Sequence, residues 1–291
     1  MFSVTSSTVG SLSNVTSGVK TTQTPTAGAA SNSATLDVGA ATIAKAFNPT
    51  SIQSGASSTV TITLTNSNAT ALTAAAFTDT LSKMSAQGGA VGGTCVGTTP
   101  ASLTAGATSL SFTGITIPAS GSCTVTFSVT STTAGSLPNT TSGVKTTQTP
   151  TAGTASNTAD LTVFAAPTIA KAFSPTSIAS GGSSTVTLTL KNANTTALTG
   201  GAFTDTLVNM SAVGGAVGGT CVGTAPSTLT AGATAPSFTG ITIPKSGSCT
   251  VTFSITSTAV GSLPNTTSGV TTTQTPAAGA ASNSATLSVT T

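Results

Sequence analysis

Charge is nearly missing from this chain of 291 residues: seven lysines and four aspartates supply all of it, 4% of the sequence, where an ordinary soluble domain carries about 25%. Arginine, glutamate, histidine, tryptophan and tyrosine do not occur at all. Without histidine or glutamate there is no ordinary Ser-His-Asp or Cys-His triad, no paired-glutamate glycosidase site and no histidine metal site. Of the aspartates Asp37, Asp79, Asp160 and Asp205, only Asp79 and Asp205 fall at equivalent repeat positions, which gives no dense calcium loop. A net charge of +3 is spread thinly, with no basic cluster and no interleaved aromatics, so nucleic acid is not an expected partner. No apolar run reaches the roughly 18 residues of a membrane helix, and Met1–Thr5 lacks the charged start and apolar stretch of a signal peptide. These absences point away from an enzyme, and no cofactor is expected.

What is present is repetition. Thr42-Ile43-Ala44-Lys45-Ala46-Phe47 returns as Thr168-Ile169-Ala170-Lys171-Ala172-Phe173, and Gly121-Ser122-Cys123-Thr124-Val125 as Gly247-Ser248-Cys249-Thr250-Val251, a period of 126 residues. A period of this length is a whole domain rather than a solenoid turn. Gly18–Pro25 matches Gly143–Pro150 and Gly269–Pro276, so a partial copy opens the chain. The expected organisation is residues 1–39 as the last strands of an incomplete repeat, then complete repeats over 40–165 and 166–291. Phe2 aligns with Phe127 and Phe253, in the middle of a domain. The first piece therefore needs upstream sequence before Met1, or strands from another chain, to cover its apolar face.

Each complete repeat holds two cysteines, Cys95 with Cys123 and Cys221 with Cys249. Two thiols without histidine make a poor zinc ligand set, so an intradomain disulfide is expected ahead of buried free thiols or a metal half-site. A disulfide implies an oxidising compartment outside the cytoplasm.

Apolar residues alternate with Ser and Thr over short runs, the period of a half-buried strand. Val60, Ile62 and Leu64 form one such set, Cys123, Val125, Phe127 and Val129 another, and Ala159, Leu161 and Val163 a third. Gly- and Pro-containing turns separate them, as at Gly88–Gly93 and Pro118–Gly121, and nothing reads as a helix. The expected fold is all-β, tandem immunoglobulin-like antiparallel β-sandwiches, with a closed barrel as the alternative. Phe47, Phe77, Phe112 and Phe127, matched by Phe173, Phe203, Phe238 and Phe253, are expected in the cores. Phe164 has Gly39 as its counterpart and lies close to Pro167, which marks both as candidates for the seam between repeats.

The runs Lys171–Ile178, Leu198–Leu207 and Ile243–Val251 carry a resemblance: in motif order they are similar to the immunoglobulin-like repeats of unknown function found in tandem in very large bacterial surface and secreted proteins. That resemblance covers both complete repeats and the second half of the partial one. It implies a structural, extracellular role and supplies no catalytic residues or ligand.

Two functional classes follow. In the first, the beads form an extracellular fibre or surface layer, with self-association promoted by Thr- and Ser-rich edges that few lysines or prolines protect. The second is an adhesin stalk or glycan-binding module. It has neither Trp nor Tyr to stack on a sugar, and its loops repeat almost verbatim, as in Gly88–Gly97 against Gly214–Gly223. Attached glycans are also conceivable at the sequons that begin at Asn68, Asn139, Asn194 and Asn265.

The rare charges make the sharpest pattern. Between the complete repeats only Lys45 with Lys171 and Asp79 with Asp205 recur. Both fall on the apolar parity of their strands, where an isolated charge is very costly. Asn157, and Asn283 in the next repeat, share parity with the inward residues of the last strand. Either Lys and Asp form a buried ion pair with Asn as a hydrogen-bonding neighbour, or the lysine amine and an asparagine amide form an isopeptide bond. Asn157 is the expected partner, with Asn139 and Asn66 as alternatives.

Overall fold

The computed structural model describes Val4, Ser6 and residues 8–291; Met1 and Phe2, on which the reading of the chain start rests, lie outside the described residues. Every regular element is a strand, and no helix occurs among the described residues. The chain divides into two compact units. One comprises the residues up to Thr50 with Ser57–Thr130 and Leu137–Leu161; the other comprises Ser51–Ala56, Ser131–Ser136 and Thr162–Thr291.

In the first unit the strand Thr42–Asn48 runs antiparallel to Ser57–Asn66, which pairs on its other side with Gly121–Thr130. The registers set Phe47 opposite Val60, Lys45 opposite Ile62, and Cys123 opposite Leu64. Burial alternates strictly along Thr42–Asn48, so Ile43, Lys45 and Phe47 point inward while Thr42, Ala44 and Ala46 face out. Stiff β-branched residues suit this pleated surface. A second pair, Leu72–Thr80 against Ser109–Ile117, sets Phe77 opposite Phe112 and Asp79 opposite Leu110. The Phe112 ring lies 5.1 Å from that of Phe77 and 5.6 Å from that of Phe127. Rings drawn from both pairs thus meet in one core.

The second unit repeats this plan. Thr168–Ser174 pairs with Ser183–Asn192, which pairs with Gly247–Thr256, and Leu198–Thr204 pairs with Ser237–Ile243. A third sheet closes the bead: Ala285–Thr290 lies antiparallel to Gly261–Asn265 and parallel to Ser177–Ala179. Asn265 stands opposite Ala285 at the end of its strand.

All eight matched phenylalanines are buried, as are Ala159, Leu161 and Val163. Phe164 is 9% exposed and joins the core of the second unit with Ile169, Leu190 and Val289, and Pro167 is buried as well. Phe164 therefore serves as a core residue of that unit.

Candidate functional site

The disulfides form as the spacing suggests. Cys95 joins Cys123 and Cys221 joins Cys249 with Cα atoms 4.8 Å apart, closing 28 positions of chain in each repeat. Gly93 makes this approach feasible. Its φ of +109° is one that L side chains rarely adopt, and a Cβ there would sit 2.1 Å from the Thr124 carbonyl oxygen. The next two residues, Thr94 and Cys95, both donate their backbone N–H to that same oxygen, at 2.9 and 3.0 Å. No free cysteine occurs, and no group of three or more metal-ligating side chains lies among the described residues.

The centre of chemical interest is a cluster repeated in each unit. Lys45 enters from the strand Thr42–Asn48, Asp79 from the end of Leu72–Thr80, and Asn139 from the end of Gly135–Asn139. The side chains of Lys45 and Asp79 are wholly inaccessible, and Asn139 is 5% exposed. Lys45 Nζ contacts both Asp79 Oδ2 and Asn139 Oδ1. Asn139 Nδ2 donates to the Thr80 carbonyl at 2.8 Å, which orients the amide with its oxygen toward the lysine. The Phe47 ring lies 5.6 Å from Nζ. In the second unit Lys171 contacts Asp205 and Asn265, Asn265 donates to Thr206 at 2.7 Å, and Phe173 lies 5.4 Å from Nζ.

Burial governs the electrostatics. Desolvation pushes the Lys45 and Lys171 amines below the ordinary lysine range, against the attraction of Asp79 and Asp205. Desolvation likewise pushes the Asp205 carboxyl up, opposed by Lys171 and by hydrogen bonds from Lys171 and Asn265. Burying an ion costs several kcal/mol even in a pair. Moving one proton from amine to carboxyl removes both charges at once. Asp79 Oδ1 and Asp205 Oδ1 are buried with no hydrogen-bond partner, a poor arrangement for carboxylates, which accept at both oxygens.

Asn157 does not belong to this cluster, which corrects the expected Lys45–Asn157 partnership. It is exposed and lies before the last strand, which begins at Ala159, so strand parity does not reach it. Its side chain brackets the Lys45 main chain instead: Lys45 N–H donates to Asn157 Oδ1 at 2.9 Å, and Asn157 Nδ2 donates to the Lys45 carbonyl at 3.0 Å. Asn283 grips Lys171 in the same way. The other alternative, Asn66, donates to the carbonyls of Thr70 and Pro118. Among the three asparagines weighed, Asn139 is the one that meets the amine.

The sequon asparagines are engaged internally. Asn68 Nδ2 donates to the Gly39 carbonyl and Asn194 Nδ2 to the Ala165 carbonyl, while Asn139 and Asn265 are buried in the clusters. A sugar would have to break one of the two bonds that Asn68 Nδ2 and Asn194 Nδ2 each donate, or open the buried sites of Asn139 and Asn265.

A family model for a domain of unknown function, DUF7933, matches residues 41–163 and again 167–289, and the chain belongs to that family. No curated protein matches the chain. Among solved structures, one titled BspA_C_WT is similar at a TM-score of 0.46 and 10% identity, covering 86% of this chain and 99% of that one. The Streptococcus agalactiae AgI/II polypeptide BspA C-terminal domain gives a TM-score of 0.44 and 11% identity over the same shares. Red sea bream transglutaminase gives 0.30 and 12%, covering 86% of this chain and 31% of its own. These are distant likenesses.

Proposed function

We propose that this chain is a structural segment of an extracellular or cell-surface protein, a string of immunoglobulin-like beads that associate into fibres, with no enzymatic role. One observation carries the reading: what the two repeats hold in common as chemistry, a disulfide and a Lys–Asp–Asn cluster, serves to fasten each bead internally. Two layers of antiparallel strands, closed by a short segment that runs parallel to the last strand, support the immunoglobulin-like assignment. The disulfides support a location outside the cytoplasm.

The surface supports association. With Lys45, Lys171, Asp79 and Asp205 buried, the charges on exposed described side chains are Lys20, Lys83, Lys145, Lys191, Lys245 and Asp160. So thin a charge offers little mutual repulsion between chains. The described phenylalanines are all buried, so no exposed ring offers a stacking platform for a sugar, and the structural reading is favoured over a glycan-binding module.

The test is electron microscopy and light scattering of the purified chain at physiological salt. Filaments with an axial repeat of one or two beads are expected. A monodisperse monomer over the whole accessible concentration range would overturn the fibre.

A further inference from the structure

We propose that each repeat makes its own covalent crosslink, an amide bond between Lys45 Nζ and Asn139 Cγ in the first unit and between Lys171 Nζ and Asn265 Cγ in the second, with Asp79 and Asp205 as proton relays.

Three observations converge on it. The amine, the carboxyl and the amide share one buried site, and Nζ contacts both the amide oxygen and a carboxyl oxygen. An ammonium would present three N–H groups to two oxygens and a ring face, and a carboxylate would leave Asp79 Oδ1 unsatisfied. A neutral amine beside a neutral carboxylic acid lowers the cost, because an unpartnered buried oxygen is less costly on a neutral acid than on a carboxylate, and the downward displacement of both lysines and the upward displacement of Asp205 run the same way. Finally, the cluster recurs with the same partners in the second unit, whereas the remaining lysines and aspartates of the complete repeats do not recur.

The chemistry balances without any co-reactant. A proton passes from Nζ to the aspartate, leaving an amine with a free lone pair and a carboxylic acid. The acid hydrogen-bonds to the asparagine Oδ1 and polarises the carbonyl. The lone pair attacks Cγ, and the Nζ–Cγ bond forms as the carbonyl π pair moves onto oxygen. The Cγ–Nδ2 bond then breaks as the carbonyl re-forms. Nδ2 leaves as ammonia, taking one proton that began on Nζ and passed through the carboxyl group. No oxidation occurs, and the aspartate ends as it began the attack, protonated. Desolvation raises the nucleophilicity of the amine, as in other lysine nucleophiles. A polar depression lined by Thr78, Thr80, Ser82 and Asn139 opens beside the first site and gives ammonia a way out; Thr204, Thr206 and Asn265 line its counterpart.

The chain carries an internal control. Asn14, in the strand Gly10–Asn14, occupies the place of Asn139 and Asn265, yet residues 1–39 contain no counterpart of Lys45 or Asp79.

The experiment is intact-mass measurement of the full recombinant chain, denatured and fully reduced, followed by tandem mass spectrometry of its peptides. The expected mass is lower than that of the sequence by two ammonia molecules, with a peptide containing Lys45 joined to one containing Asn139 and another joining Lys171 to Asn265. Asn139→Ala should restore one ammonia. Asp79→Asn, which keeps the size of the buried side chain and removes its acid, should also restore one although both reacting residues remain, which separates the relay from mere packing. An unmodified mass in folded protein would overturn the proposal, as would a mass deficit without linked peptides, the sign of simple succinimide formation. The outcome does not depend on whether the chain forms fibres.

Discussion

Asn157 holds Lys45 by its main chain and leaves its amine alone: one exposed amide completes both the N–H and the C=O of a residue whose side chain ends in the core. The first strand is thus fixed at the position from which its amine reaches Asn139. Both contacts lie on the same edge of the strand and keep that register.

Replacing Asn157 by Ala should therefore cost stability without touching the crosslink. Two hydrogen bonds at about 0.5–1.5 kcal/mol each predict a loss of about 1–3 kcal/mol in denaturant unfolding. Intact mass should still show the ammonia deficit. A variant that loses the deficit would show that Asn157 sets the geometry of the amine as well.

The pH dependence should appear in a chain with Asp79→Asn and Asp205→Asn. Burial lowers the folded-state pKa of both lysines, and removing the aspartates takes away the attraction that opposes this. Between that lowered value and the ordinary value of about 10.4, the unfolded chain binds more protons than the folded one, so stability rises with pH through this window. The thermal midpoint near pH 10 should exceed that at pH 7, and 1 kcal/mol moves it by about 4 °C in a domain of this size. In the unaltered protein the crosslinked lysines no longer titrate, so this rise should be absent. A flat profile in the double variant would contradict the assignment of burial as the dominant influence.

Breaking one disulfide with Cys95→Ser and Cys123→Ser should cost about 3–4 kcal/mol, the chain-entropy estimate for a loop of 28 positions. Denaturant unfolding of the variant beside the parent measures it. The second repeat should keep its own midpoint.

Gly93→Ala tests the turn that delivers Cys95. A left-handed backbone and a Cβ placed against the Thr124 carbonyl predict a loss of about 1–3 kcal/mol or more. Gly106→Ala is the comparison, because its φ is also positive, +83°, but no atom lies within 4 Å of the added carbon. Gly93→Ala should be the more damaging of the two by thermal melt; equal losses would assign the effect to φ alone.

Much of this architecture is legible from parity. Lys45 and Asp79 lie two residues from Phe47 and Phe77, and in a strand that alone points them inward. Cys123 is legible as a core residue for the same reason. Asn139 is harder to place, because Gly135–Asn139 is short and carries Pro138, which weakens a strand reading. Its signal was nonetheless present: Asn139 shares parity with the buried Leu137, and Asn265 with Leu263, while Asn157 precedes its strand by two residues. Parity is meaningful only within a paired strand, and the strand boundary is what sequence marks least sharply. The carbonyl of Thr80 that orients Asn139 depends on chain distant in sequence, which no local pattern encodes.

The short disulfide loop also bears on how such a chain is made. Neighbouring repeats of nearly the same sequence offer each strand two almost equivalent partners, and misassembly between adjacent domains is a characteristic failure of such arrays. A strand of one repeat that lodges in its neighbour would find apolar residues of the right spacing waiting for it. Cys95 and Cys123 meet within one repeat, 28 positions apart, as do Cys221 and Cys249. During export the first pair can emerge and close before Cys221 has crossed. Each repeat can thus commit to its own strands as it reaches the oxidising compartment, and near-identity between neighbours becomes tolerable in a tandem array.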